Sequence, residues 1–123
     1  MDTLQKQYQS IIESVLTEYA NFVSTPEPEI QQELIFDRDR DHYLLLETGW
    51  QKGRRIYGPF IHIDIIGHKI WIQHDGTEEG VAYELVAAGI PKDHIVLAYK
   101  SIDRRQVTEF AVSYTKSTCD CNP

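Results

Sequence analysis

The sequence predicts an α+β fold: an antiparallel, possibly mixed, sheet of about five or six strands, covered by an N-terminal helix and a second, shorter helix. Apolar residues near the N-terminus recur every three or four positions, as on one face of an α-helix. The central part of the chain alternates isoleucine with polar residues around a Gly-His pair, which is typical of a β-hairpin. A second helical pattern follows and ends at a glycine and a proline.

The first helix is predicted from Leu4 to Val23. Its apolar stripe comprises Leu4, Tyr8, Ile11, Ile12, Val15, Leu16, Tyr19 and Val23. The opposite face is polar, so we expect this stripe to pack on a sheet. The segment from Ser24 to Pro28 contains two prolines, which lack a backbone donor and disfavour helix in the preceding residue. It is therefore predicted to be a linker.

Two strands are predicted at Leu34–Asp37 and His42–Thr48, joined by a charged turn that ends at Asp41. The segment Gly49–Gly53 predicts a second turn, after which strand character resumes at Arg55 or Ile56.

The most distinct local pattern is a hairpin from Phe60–Ile66 to Lys69–His74, with Gly67-His68 as a type II′ turn. The predicted register places two isoleucine pairs on one face: Ile63 with Ile72 and Ile65 with Ile70. The other face then carries Asp64 opposite Trp71 and His62 opposite Gln73. That face is polar and aromatic, so it is either solvated or an interface.

The second helix is predicted from Glu78 to Ala88, capped by Asp75 or Thr77, with Gly89 as its C′ residue. The segment Ile95–Tyr99 predicts another strand, and Val107–Ser113 is ambiguous between strand and helix. We expect one domain over residues 1–113 and a flexible tail over residues 114–123.

Composition narrows the functional classes. A net charge of −7 opposes the DNA backbone, so direct DNA binding is disfavoured. Apolar runs are too short to span a bilayer, and the N-terminus lacks the order of a signal peptide, so a cytoplasmic protein is expected. Cys119 and Cys121 lie near the C-terminus with a spacing that predicts neither a disulfide framework nor a zinc site.

Residues with the pattern of an enzyme site are not evident, and neither a metal nor another cofactor is predicted. The five histidines show no metal-binding spacing, and the best candidate group is His62 with Asp64, joined by His68 from the turn. Serines and cysteines lack a recognisable activating partner. We therefore expect a protein that is not an enzyme.

Two sets of residues are candidates for binding. Aromatic residues beside polar ones are typical of protein interfaces. The candidates for contact with a partner are therefore His62, Asp64, Trp71, Gln73 and Trp50. Basic residues that could contact phosphates, if they met in space, are Lys52, Arg54, Arg55, Arg104 and Arg105.

The string HIDIIGHKIWIQHDGTEEG followed by GIPKDHIVL resembles the XisI family, the cyanobacterial fdxN-element excision controlling factors. The resemblance covers roughly residues 5 to 113. It implies a regulatory role in excising a DNA element by site-specific recombination, without catalytic residues of its own, beside an XisH-type partner protein. A recombinase complex or a second copy of this chain is compatible as a further partner. The alternative is a recombination directionality factor that contacts DNA directly.

Overall fold

The structure, a computed structural model, describes residues 3–23 and 29–112. This part of the chain is built around one five-stranded sheet. The strands lie side by side in chain order, and their bounds are β1 Ile30–Asp37, β2 His42–Gln51, β3 Arg54–Ile66, β4 Lys69–Asp75 and β5 Ile95–Leu97. The first four form an antiparallel meander, whereas β5 runs parallel to β4. The predicted α+β fold is confirmed, with a mixed sheet.

The first three strands are longer than predicted. β1 begins at Ile30 rather than Leu34, because this edge strand exposes much of its length and needs no continuous apolar pattern. β3 is continuous through Gly58 and Pro59. Pro59 fits because the register with β2 shifts between Leu45 and Leu46, and a bulge is one of the few places where a strand accepts proline.

The β3–β4 hairpin confirms both isoleucine pairs and the pairing of Asp64 with Trp71. Two details of the prediction are wrong. His62 pairs with His74 instead of Gln73, because the register shifts between His62 and Ile63. The turn is not type II′: Gly67 and His68 have φ values of 59° and 66°, and positive φ at both positions defines a type I′ turn.

Helix α1, Thr3–Val23, covers one face of the sheet, as predicted from its apolar stripe. It lies nearest to β1 and β2, and its buried side chains share one core with the residues of β2, β3 and β4 that point toward the helices. The buried core of this layer includes Tyr8, Ile12, Val15, Leu16, Tyr43, Leu45, Ile61, Ile63, Ile65, Ile70 and Ile72. The two sides of the sheet are therefore unequal, with the core on the side of the helices.

Helix α2, Val81–Ala87, connects β4 to β5 and buries Val81, Ala82 and Leu85 in the same core. It begins three residues later than predicted, because Gly80 has a φ of 105° and cannot continue a helix. Gly80 is therefore the N-cap residue rather than Asp75 or Thr77, although the Asp75 carboxylate still accepts from the Val81 backbone N–H at 2.9 Å.

The end of α2 follows the prediction. Gly89 donates its N–H to the carbonyl of Val86, and Ile90 donates to Leu85. These are the two hydrogen bonds of a Schellman motif with glycine at C′. Ile90 is 1% exposed, so the residue behind the glycine joins the core.

The chain beyond α2 folds against β5. A 3₁₀ turn at Lys92–His94 precedes β5, and a single helical turn, α3, occupies Ile102–Arg105; neither was predicted. β5 ends at Leu97 rather than Tyr99. Ala111 forms one parallel bridge with Val96, where a sixth strand would lie.

The predicted linker 24–28, the tail from residue 114 and both cysteines lie outside the described residues. Among the helices that are described, none is long and apolar enough to cross a membrane.

Candidate functional site: the open face of the sheet

The face of the sheet turned away from α1 and α2 is the candidate functional surface, and we call it the open face. Side chains alternate along a strand, so the neighbours of the core residues point to this side. Whereas Leu45, Ile61 and Ile63 are fully buried under the helices, the open face carries large side chains that remain partly accessible. These include Ile35, His42, Leu44, Leu46, Trp50, Tyr57, His62, Trp71 and Gln73.

Asp64 is the centre of a polar cluster on the open face. Its residue exposure is only 7%, although α1 and α2 both pack on the other side of the sheet. One carboxylate oxygen, Oδ1, lies 2.7 Å from Nδ1 of His42 and 2.9 Å from Nε2 of His62. The other oxygen, Oδ2, accepts a hydrogen bond of 3.2 Å from Nε2 of Gln73. The carboxylate is therefore enclosed by its own hydrogen-bonding partners.

Three strands bring this cluster together. His42 and Asp64 are directly paired in the β2–β3 register, and His62 stands two residues from Asp64 on the same face of β3. Gln73 comes from β4. The register shift between His62 and Ile63 lies within the cluster, and β-bulges commonly re-aim a side chain beside a functional site.

Trp71 and Arg105 extend the cluster toward β5. The guanidinium carbon of Arg105 lies 5.6 Å from the centroid of the Trp71 ring, within the range of a cation–π contact. The same guanidinium donates to four backbone carbonyls, those of Leu97, Ala98, Lys100 and Val112. Arg105 thus holds the segment after β5 against the sheet, which is a structural role rather than a free phosphate contact.

Apolar and aromatic side chains continue the open face away from the cluster. Trp50 is 54% exposed, and Tyr57 is 70% exposed. Arg55, the cross-strand partner of Trp50, places its guanidinium 5.6 Å from the Trp50 ring and 5.8 Å from the Tyr57 ring. Ile35 adds an exposed aliphatic side chain on β1, at 43%. This part of the surface has the aromatic and arginine composition of a binding patch.

The predicted basic residues fall into two places. Lys52, Arg54 and Arg55 form the exposed tip of the β2–β3 hairpin. Arg104 and Arg105 lie on α3, which follows the opposite edge strand β5. β5 lies two positions from β3 in the sheet. The strand order therefore does not bring the two basic groups into one patch.

His42 is the member of the cluster that the sequence analysis missed. The sequence predicted His68 as the residue that joins His62 and Asp64, but His68 occupies the exposed turn, and His42 takes the third place. The ligand atoms of His42, His62 and Asp64 all lie within 4.8 Å of one another. Pairing β2 with β3 through the intervening turn would have placed His42 beside Asp64, had the position of the bulge been known.

Fold and site together define a small α+β protein with one covered sheet face and one open face suited to binding. The sequence matches the XisI protein family over residues 1–112, and the chain belongs to that family. Comparison with curated proteins gives no significant match.

Two solved structures are similar over most of the chain, both from Anabaena variabilis ATCC 29413. A XisI-like protein shares 37% identity and a TM-score of 0.82, with 89% of this chain and 99% of that chain covered. The fdxN element excision controlling factor XisI shares 32% identity and a TM-score of 0.78, with the same coverage of both chains.

Proposed function

We propose that this protein is a non-enzymatic accessory factor for excision of a DNA element by site-specific recombination, and that it acts by binding an XisH-type protein through the open face. Membership of the XisI family supports the role, as does the similarity to a protein described as an excision controlling factor. A separate recombinase would perform the strand chemistry.

The observation that carries the choice of surface is the exposure of Trp50 and Tyr57 on the same sheet face as a preformed polar cluster. Exposed aromatic side chains lose contact with water when a partner covers them, and this is the usual source of binding energy at interface hot spots. The hydrogen bonds of Asp64 hold the His42 and His62 rings in place before a partner arrives. On one binding face, the aromatic patch would supply affinity and the preformed polar cluster would add specificity.

Co-expression with an XisH-type protein tests the proposal. We expect a stable complex whose mass, measured by light scattering, equals a sum of whole subunits. Light scattering of the isolated chain also establishes whether it forms a homo-oligomer. Two separate species after co-purification would contradict the proposed partner.

Variants then locate the surface. Tyr57→Ala and Trp50→Ala should each weaken the complex by at least about 1 kcal/mol, or roughly fivefold in Kd. Tyr83→Ala is the matched control, because Tyr83 is 52% exposed but lies on α2, on the covered side. Equal weakening by all three variants would show that the open face is not the binding surface.

Direct DNA contact is the second candidate, favoured by the exposed basic tip formed by Lys52, Arg54 and Arg55 beside Trp50. This function predicts duplex binding whose affinity falls steeply with salt. Replacing the three basic residues with glutamine should then abolish binding. A complex with the XisH-type protein that survives these changes would assign the function to protein binding.

A further inference from the structure

We propose that His42, His62 and Asp64 form a binding site for a divalent transition-metal ion of the zinc class. The inference rests on the geometry of the polar cluster and is independent of the proposed role in excision. Two imidazole nitrogens and one carboxylate oxygen converge within 4.8 Å on the open face. Three protein ligands of this kind leave coordination positions for water or for a side chain of another molecule.

The donor set determines the class of ion. Imidazole nitrogen suits zinc, cobalt, nickel and copper, whereas calcium and magnesium prefer sites built from oxygen alone. Two of the three ligands here are nitrogens, one from His42 and one from His62. A zinc-class ion is therefore favoured over calcium or magnesium.

The geometry needs only a small adjustment to hold such an ion. Zinc bonds of about 2.0–2.1 Å at tetrahedral angles place two ligand atoms about 3.3 Å apart. The His42 and His62 nitrogens lie 2.7 and 2.9 Å from Oδ1 of Asp64, which are hydrogen-bond distances. Widening each separation by about half an ångström requires side-chain rotation without a change in the strands.

The surroundings have the features that support a metal site. Gln73 donates to Oδ2 of Asp64, which orients the other oxygen toward the two histidines, as an outer-shell partner does. Asp64 is held on β3, and the His42 side chain is 48% exposed. The site is thus rigid at its base and accessible from solvent at one side, so an ion can enter.

Metal titration of the full-length chain tests this site directly. The two tail cysteines are strong competing ligands, so the background variant is Cys119→Ser with Cys121→Ser. After stripping with a chelator, the protein is titrated with Zn²⁺ by calorimetry and with Co²⁺ by visible absorption. We expect one saturable site per chain for each ion and no comparable heat with Mg²⁺ or Ca²⁺. Absence of saturable Zn²⁺ or Co²⁺ binding by the folded protein would overturn the proposal.

Single-histidine variants assign the ligands. His42→Ala and His62→Ala should each weaken metal binding by at least about tenfold. Removing an outer-shell partner typically lowers metal affinity about 10–100-fold, and removing a direct ligand should lower it at least as much. His68→Ala and His74→Ala are matched controls, since both histidines are exposed and lie outside the cluster. Circular dichroism checks that each variant folds. If His62→Ala does not fold, because His62 is the more buried of the two, His42→Ala alone still tests the site. Binding that persists in His42→Ala but is lost in His68→Ala or His74→Ala would place the ion elsewhere and refute the site.

Discussion

At the scale of single residues, two aspartates organise the two faces of the sheet. Asp64 gathers His42 and His62 on the open face. Asp41 does the equivalent on the covered face, where it accepts hydrogen bonds from Gln5 at 2.5 Å and from the Tyr43 hydroxyl at 2.9 Å. Since Gln5 belongs to α1, Asp41 fastens the helix to the turn between β1 and β2.

The contact between Tyr43 and Asp41 predicts a stability change at alkaline pH. Burial raises the pKa of Tyr43, and the nearby carboxylate of Asp41 raises this pKa further. Because the pKa of Tyr43 is higher in the folded state, its contribution to stability is fully present below the unfolded pKa of about 10. This contribution is lost as the pH rises above about 10 toward the folded pKa. We expect Tyr43→Phe to cost about 1 kcal/mol at neutral pH and to reduce the alkaline decline.

Denaturant unfolding at a series of pH values between about 7 and 11 measures both effects. Tyr57→Phe is the control, because Tyr57 is 70% exposed and its hydroxyl lies on the opposite side of the sheet. If the free energy of unfolding declines equally in the two variants above pH 10, the contribution assigned to Tyr43 is wrong.

At the scale of elements, apolar periodicity was sufficient to predict α1 and the isoleucine face of the β3–β4 hairpin. In both elements most residues of the apolar pattern reach the core, so the sequence shows their period directly, although Leu4 at the start of α1 is 42% exposed. The first residues of β1 were missed because Gln31, Gln32 and Glu33 are polar, which an edge strand tolerates. The pairing of His62 was wrong because a bulge adds a residue without leaving a distinct sequence signal.

The candidate site could be predicted only in part for the same reason. Asp64, His62, Trp71 and Gln73 were grouped from strand alternation and turn length, and the structure does place them on one face. His42 requires the register of a second strand pair, which two-residue alternation within one hairpin cannot supply.

The turn between β3 and β4 predicts a stabilising substitution. His68 adopts a φ of 66°, a conformation that costs a residue with a Cβ about 1–2 kcal/mol. Glycine occupies it without that cost but loses more backbone entropy on folding, so we expect His68→Gly to stabilise the fold by about 0.5–1 kcal/mol.

Thermal or denaturant unfolding provides the measurement, with His68→Ala as the matched variant. Alanine removes the imidazole but keeps the Cβ, so it should leave stability nearly unchanged. Equal stabilisation by alanine and glycine would show that the imidazole, rather than the backbone conformation, is the unfavourable group.

At the scale of the whole molecule, the protein is a two-layer structure whose second sheet face lacks helical cover within the described residues. Leu44 and Leu45 are consecutive on β2 and point to opposite sides of the sheet. Their burial can therefore be compared directly between the two faces. Leu45 is fully buried, whereas Leu44 is only partly buried.

We therefore expect Leu45→Ala to destabilise the isolated protein by about 2–5 kcal/mol, and Leu44→Ala to cost clearly less. Denaturant unfolding of both variants in the absence of any partner measures the difference. An equal cost would mean that the open face is already covered in solution, for example by a second copy of the chain.

The order of the strands has a consequence for the way the chain folds. β1 to β4 pair with their immediate neighbours in sequence, so these pairings close only short loops, which cost little entropy. The parallel pairing of β5 is the exception, because the chain must first pass through α2. Proteins with mainly local contacts fold faster than those with distant ones. We infer that the meander provides the folding nucleus and that β5, with the segment after it, joins later.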